Sequence, residues 1–512
     1  MKKLILVLLC LCFALSLGAC NVTRDGGGGG GGEYVPGTAK GSISVICYEA
    51  GFGTAWLNEM ASTFESATGN KVTVKKSYVS GALGALLDDN SSKDDIVMML
   101  GSMYNAQSKG YMVELSDVYN TVPEGETKTI KEKVNPNVYS KMSTSDGKIF
   151  QMNWANPSAS IVYNKTVLDR IFPTGYSLPR TTDELIVFAQ GIAAKGVYPF
   201  ALSTSVAYWD YAHLVWWAQY EGFADYSDYY FGYYNDNGTR KLAAERQNLM
   251  MTGRLRSLQA AETLLKKANN YTHAHADSMS WQESQIAFVG HGYGGSDMTE
   301  CAMYVCGDWI ENEVQSYLLL KKQELRMMKL PVISSITQKL AGSMNDATLG
   351  LVIDAIDKGE TSYGGVSAAD FAKIKEARSM VYSATFDHPM GIPASSKNKN
   401  LAKDFLVFMA SDMGQSIFAK HTNGLNMPYG YVPSTGISDF VKSRYDCFGN
   451  NSLLICIDYS SPLVYRQGLS AYPNNNGNID ALLYRGTGAQ KIIDDADSIY
   501  APNWATIMAA AV

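Results

Sequence analysis

Two periods of apolar spacing alternate along this chain. Ser42-Ile43-Ser44-Val45-Ile46-Cys47-Tyr48 is rich in β-branched residues and predicts a buried strand. Trp56, Leu57, Met60, Ala61 and Phe64 then recur at helical spacing, and Gly69 sits where a left-handed C′ residue would end that helix. Val72-Thr73-Val74 follows as a second strand, completing a β-α-β unit, which implies a parallel sheet covered by helices. Asp94 to Leu100 reads as a further strand. Thr181-Thr182-Asp183-Glu184 is a capping box ahead of a helix with Leu185, Phe188, Ala189 and Ile192 on one face, ending near Gly196. Leu401, Phe405, Phe408 and Met409 predict another amphipathic helix. Strands and helices alternate from end to end, so the expected class is α/β. No repeat at solenoid spacing is visible.

The N-terminal pattern is different. Lys2 and Lys3 precede a nearly all-apolar run from Leu4 to Leu17. A spanning helix needs about 20 apolar residues, so this run reads as a secretory signal over residues 1–19. It ends in Leu17-Gly18-Ala19-Cys20, which resembles the bacterial lipobox. That resemblance implies cleavage before Cys20 and lipid attachment to its thiol, chemistry that needs a strong nucleophile. Seven glycines, Gly26 to Gly32, and a Pro36-Gly37 step make residues 20–40 a flexible tether. The expectation is a lipid-anchored protein on the extracytoplasmic face of a cell membrane, of the Gram-positive type.

Residues 41–512 are long enough for two domains with large cores. The formal charge of -6 argues against nucleic acid and anionic lipid surfaces as partners. The 32 Tyr and 8 Trp are the compositional oddity. Such rings fill cores, but they also present flat apolar faces on which sugar rings stack. Of the 8 cysteines, Cys47, Cys301, Cys306, Cys447 and Cys456 lie beyond the tether. An odd number is poor support for a disulfide framework; Cys447 and Cys456 could bridge a hairpin or be small buried thiols.

Taken in order, these segments resemble the family 1 extracellular solute-binding proteins, the maltose-binding-protein group. The resemblance is carried by the Ser42 to Val74 unit, Asp95-Ile96-Val97, Val113-Glu114-Leu115, Asp146-Gly147-Lys148 with Tyr163-Asn164-Lys165, and Pro179 to Leu185. It continues through Ala302-Met303 to Gly307-Asp308-Trp309, Gly391-Ile392-Pro393 and Ser396-Lys397-Asn398. It covers most of residues 41–430. Residues 225–269 look inserted, the tail beyond 430 is unmatched, and Asn153-Trp154 replaces the family's usual Pro. The resemblance implies a two-lobed, periplasmic-binding-protein-like α/β fold with crossing hinge strands and a ligand cleft between the lobes. Lobe 1 is expected from residues 41–153 and roughly 332–425, and lobe 2 from 154–331 and roughly 426–512. Crossovers are expected near Gln151–Ser158 and Arg326–Val332. The implied function is capture of a carbohydrate, an oligosaccharide given the aromatics, for the membrane permease of an ABC transporter. The protein would be a monomer with no cofactor and no catalysis.

A sugar site needs aromatic faces and charged or amide groups for hydroxyls, since hydrogen bonds to charged groups are worth about 1.5–3 kcal/mol. Trp309 follows Gly307-Asp308 where the family places a stacking Trp; it also reads as a core Trp at a helix start. Asp308 is either a hydroxyl acceptor or a helix N-cap. Tyr208-Trp209-Asp210-Tyr211 matches the family's cleft aromatics, with Tyr208, Trp209 and Asp210 the candidates. Trp216 and Trp217 fit a core stripe. Asn153 and Trp154 fall at the expected crossover. Tyr48 and Glu49 end the first strand, and open α/β sheets bind ligands beyond strand carboxyl ends. Phe386, Asp387 and His388 are further candidates.

Catalytic alternatives are thinner. Gly290-His291-Gly292-Tyr293-Gly294-Gly295-Ser296 has the glycines of an oxyanion or phosphate loop, but completes no nucleophile elbow and reads as a surface loop. His273-x-His275 lacks an evident third metal ligand. No phosphate-binding P-loop motif occurs. A secreted glycoside-active enzyme with spatially paired carboxylates stays open, as does a surface scaffold or adhesion lipoprotein that has lost transport.

Overall fold

The computed structural model describes residues 34–49, 51–290, 300–433, 436–449, 451–465 and 478–509. The signal segment, Cys20, the glycine tether and nearly all of the Gly290–Ser296 loop lie outside these. Its strands, in chain order, are β1 (Ser42–Tyr48), β2 (Lys71–Ser77), β3 (Ile96–Met98), β4 (Met152–Asn153), β5 (Ser158–Asn164), β6 (Tyr198–Phe200), β7 (Tyr233–Asp236), β8 (Thr239–Leu242), β9 (Cys301–Gly307), β10 (Leu325–Met328), β11 (Met380–Ser383), β12 (Pro389–Gly391) and β13 (Leu453–Ile455). No described helix is long and apolar enough to cross a membrane.

Two sheets organise two lobes. The first has the order β2-β1-β3-β12-β4, with β1 parallel to both β2 and β3. Ile43, Val45 and Cys47 alternate into its core. The helix Ala55–Thr68 buries Trp56, Leu57, Met60, Ala61 and Phe64 against it. That helix stops at Gly69, whose φ of 72° suits a residue without a Cβ and whose N–H donates to Glu65 O. The helices Lys399–Ala410 and Asp412–Thr422 pack on this first unit. The second sheet runs β13-β11-β5-β9-β6, with β10 also on β5. β5 sits at its centre and is almost wholly buried. The helix Thr182–Ala193 packs on the edge strand β6, with Thr181 Oγ1 accepting from the Glu184 N–H at 3.2 Å. The expected capping box is half formed: the Glu184 carboxylate takes the Arg180 N–H at 2.7 Å and the Arg180 guanidinium instead.

The chain passes between the sheets at residues 154–157 and again at 384–388. The expected return near residue 332 is therefore displaced. β10 pairs with β5, and Leu349, Val352, Ile353, Phe371 and Ile374 join the second lobe's core with Ile161 and Val305. Residues 332–383 belong to lobe 2, and only β12 rejoins the first sheet. Past Thr422 the chain runs back towards lobe 2, where the helix Asp439–Cys447 packs on β10 and β13 extends the sheet beside β11.

Residues 225–269, expected to be inserted, and the tail share one purpose. The helix Asp210–Glu221 is buried nearly all round, and a helix apolar on every side needs cover on every side. The helix Thr252–Leu265 of the insertion supplies one side, β11 and the helix Ala368–Ser379 supply others, and the tail helices Ile479–Tyr484 and Ala489–Tyr500 close over Thr252–Leu265. Cys447 and Cys456 are not bridged to each other, and all five described cysteines are buried.

One buried carboxylate ties the crossings together. Asp308, fully buried just beyond β9, accepts from Ser158 N at 3.1 Å, Ser158 Oγ at 2.8 Å and Arg444 Nε at 3.1 Å. The Asn426 amide, oriented to donate, lies 2.8 Å from both Asp308 oxygens. The Arg444 guanidinium also donates to Asn156 O, and Asn156 N donates to Asn426 O, both at 2.9 Å. Tyr429 Oη donates to Asn153 O at 2.8 Å, and Ala384 N to Pro157 O at 2.9 Å. Burial raises the Asp308 carboxyl above its ordinary range, opposed by Arg444 and Ser158.

Removing one partner of a buried ion pair costs about 3–5 kcal/mol, because the other charge stays buried. Arg444→Met should therefore lower the unfolding free energy by about that amount in urea denaturation, with Asp308→Asn in the same chain recovering part of it. A second pair makes stability depend on pH. Asp210 is buried beside Asp480; burial pushes the Asp210 carboxyl from 3.8 up to about 7, and Asp480 is raised by burial and then by the Asp210 charge. Between those two values the folded state holds a proton that the unfolded chain has lost. Stability from this group thus falls as pH rises from 3.8 to about 7 and levels off above. Asp210→Asn should flatten part of that slope in melting temperatures taken from pH 4 to 8.

Candidate functional site

A cleft of about 980 Å³ lies where the two sheets face each other across the crossing segments. One wall comes from the carboxyl ends of first-lobe strands: Tyr48, Glu49, Gly51 and Phe52 after β1, Leu100 and Gly101 after β3. This is where an open parallel sheet leaves room for a ligand. The opposite wall is aromatic. Tyr208 and Tyr211 stand at the start of the helix Asp210–Glu221, and Trp309 and Tyr317 follow β9. Trp281, Gln282, Gln285 and Ile286 come from the helix Trp281–Phe288, whose start is fixed by a complete capping box between Ser280 and Glu283. Ala384, Asp387 and His388 of the second crossing form the floor, with Tyr459 beside them.

Trp309 is the centre of the aromatic wall. It meets Tyr208 and Tyr211 edge-on, with ring centroids 6.4 and 6.3 Å apart, and Tyr211 packs on Tyr382 at 4.6 Å. The ring folds back over the end of β9. A Cβ on Gly307 would fall 2.0 Å from Trp309 Cζ3, so only glycine at 307 allows that rotamer. The half-buried indole lines the cleft.

Electrostatics on the walls differ. Glu49 is paired with Lys76 at 2.6 Å, which holds its carboxyl below the ordinary range. Burial pushes the Glu313 carboxyl up to about 7, opposed by the Gln285 amide, which donates to it at 2.6 Å. Glu313 reaches across the cleft, with Oε1 2.5 Å from the position a Cβ would take on Gly51. Burial likewise raises Asp387 to about 6, opposed by a hydrogen bond from Tyr459, and lowers His388 to about 4. His388 is therefore neutral at neutral pH, with Nδ1 2.8 Å from Ala384 O.

The structure brings Tyr48, Glu49, Tyr208 and Trp309 to one cleft, together with Asp387 and His388. It places the other expected residues behind its walls. Trp209 and Asp210 are buried in the lobe 2 core, Trp209 against Phe200 at 5.1 Å. Positions 208 and 211 share a helical face, and 209 and 210 turn the other way. Asp308 serves the crossing tie and neither caps a helix nor faces the cleft. Trp154 lies under the floor, stacked on Trp56 at 6.1 Å and edge-on to His388 at 4.8 Å, while the Asn153 amide donates to Thr385 O. Phe386 is buried. Sequence reasoning did not select Trp281, Gln285, Glu313, Tyr317 or Tyr459. The Ser280-x-x-Glu283 box marked the helix carrying the first two, and Glu313 follows Trp309 by one helical turn. His273 is buried against Tyr198, and no group of three metal-ligating side chains occurs among the described residues.

Comparison with known proteins agrees with this geometry. Among solved structures, the fold is similar to apo RafE from Streptococcus pneumoniae, with a TM-score of 0.59 and 14% identity over 91% of this chain and 98% of that one. It is similar to a structure from work on xylan utilization by the thermophilic bacterium Caldanaerobius polysaccharolyticus, at 0.61 and 15% over 90% and 99%. It is also similar to the GacH receptor of Streptomyces glaucescens, solved unliganded and with acarbose, at 0.58 and 16% over 92% and 99%. These likenesses establish the two-lobed fold. No curated protein matches the chain significantly. The family model for bacterial extracellular solute-binding proteins matches residues 52–416, more than half of the chain, and the chain belongs to that family.

Proposed function

We propose that the cleft captures an oligosaccharide outside the cytoplasmic membrane and hands it to the permease of an ABC transporter. The observation that carries this reading is the half-buried Trp309–Tyr208–Tyr211 wall facing carboxyl groups across about 980 Å³. Flat apolar faces suit sugar rings, and carboxylates accept from hydroxyls through strong, charge-assisted hydrogen bonds. Solved proteins of this fold that bind raffinose, acarbose and chitin oligosaccharide support the same ligand class. The family is one of binding proteins, and we read this member as a monomeric receptor without catalysis or cofactor. Glu313 and Asp387, with their raised carboxyls, are the groups an acid–base pair would use, so intact recovery of bound sugar separates receptor from hydrolase.

The anchor follows from Leu17-Gly18-Ala19-Cys20 and the glycine run after it. Residues 1–19 act as a signal peptide, Cys20 carries lipid, and the tether displays the folded unit on the cell surface. Cys20→Ser should move the protein from the membrane fraction to the medium or keep it unprocessed, as seen by fractionation and mass spectrometry of the N-terminus.

Thermal-shift screening of residues 35–512 against oligosaccharides tests the main reading. A ligand at 100 times its dissociation constant adds about 2.7 kcal/mol to the native state, a visible shift. Silence across the panel would reject it, and degradation of the bound sugar would favour the hydrolase. Trp309→Ala should weaken binding of the hit about 10- to 100-fold in calorimetry, the equivalent of about 1.5–3 kcal/mol for a buried aromatic contact. Trp209→Phe, behind the wall, should leave affinity unchanged.

A further inference from the structure

The charged groups of the cleft are one-sided. Glu49, Glu313 and Asp387 line it, and its described lining residues include neither lysine nor arginine. Glu49 is matched by Lys76. Among the described residues the other two carboxyls meet no cation: Glu313 accepts from the neutral Gln285 amide, and Asp387 from the Tyr459 hydroxyl. Both are buried enough for their carboxyls to be raised, as expected of acids lacking a counter-charge. A ligand entering this cleft removes more water from both.

We infer that the ligand is a saccharide carrying a free amine, with its ammonium held against the carboxylate of Glu313 and Asp387 adding a second negative charge to the same cleft. The inference rests on the oligosaccharide reading above and narrows it. Hydroxyl donors would supply hydrogen bonds to Glu313 but, on desolvation, leave it either an uncompensated carboxylate or an acid that has had to take up a proton. An ammonium supplies both, and charge-assisted bonds of this kind are about twice as strong as neutral ones. A uronate or a phosphorylated sugar would add negative charge to a cleft whose described lining holds no lysine or arginine to neutralise it. Glu313 is the better placed of the two acids, since it reaches across to Gly51 and would meet a ligand held between both walls.

The test is titration calorimetry at pH 6.5 on the full folded unit, residues 35–512, with matched saccharides. Glucosamine and galactosamine oligomers are compared with their N-acetylated forms and with the parent hydroxyl sugars of equal length. Acetylation removes the charge, and the hydroxyl series controls for the bulk of the acetyl group. The expected result is that an amine form binds at least tenfold tighter than both neutral forms, and that Glu313→Gln brings it down to their level while the melting temperature of the free protein holds. Equal or tighter binding of a neutral form overturns the inference and leaves the oligosaccharide reading standing. An equal loss for charged and neutral forms in Glu313→Gln overturns it too, by making Glu313 a plain hydroxyl acceptor. If no saccharide of any series binds, here or in the wider thermal-shift panel, the oligosaccharide reading itself falls.

Discussion

The constraint on which the cleft depends is the burial of Asp308. A carboxylate taken fully out of water is costly unless its oxygens are met by donors and its charge by a cation. Ser158 at the start of β5, Arg444 of the tail and Asn426 of the returning segment meet both needs. Those three partners come from separate passages of the chain. Satisfying one carboxylate therefore brings the first crossing and the last return together at the end of β9, and the second crossing joins through Pro157 and Ala384. The tail is part of this arrangement, because Arg444 lies on its first helix.

The position of the aromatic wall follows from that knot. Trp309 is the next residue after Asp308, and Gly307 precedes it. Asp308 N also donates to Ser158 O at 2.9 Å, so the backbone around the indole is held from both sides. With the backbone fixed and no Cβ at 307, the ring lies back over the strand end and offers its face to the cleft. Preorganisation of this kind reduces the entropy lost when a ligand is bound. The surrounding tyrosines are set independently, by the buried helix that the insertion and tail enclose.

Much of this was legible in the sequence where the signal is local. The first β-α-β unit, with Gly69 as its stop, can be read from spacing alone, because burial of one face is a short-range pattern. The return to lobe 1 was not legible. Leu349, Val352 and Phe371 announce apolar helix faces, but an amphipathic stripe says only that it is covered, not by which sheet. The same limit separates Tyr208 from Trp209. Both are aromatic neighbours, and only the helix phase decides which faces solvent. By its neighbours Asp308 reads as acceptor or cap; its actual partners lie 150 residues before it and 136 after it, a distance no local motif can encode. Glu313 carries no motif and becomes visible only when Gly51 of the other lobe is placed opposite it.

Glu313 also connects closure to binding. Its carboxyl is desolvated partly because the opposite wall stands against it, so opening the cleft would return it to water and ease its pKa back towards 4.5. An empty cleft that closes must then bury an unmatched carboxylate or take up a proton near neutral pH, and both oppose closure. A ligand that donates to Glu313 removes that opposition. It can shift the population towards the closed form only by as much as it interacts differently with the two, and the cross-cleft carboxylate is a group whose surroundings differ between them. The aromatic wall belongs to one lobe and is available in either state. For an oligosaccharide bound as proposed, stacking on Trp309 would supply affinity, whereas the polar contact at Glu313 would supply the coupling between occupancy and closure.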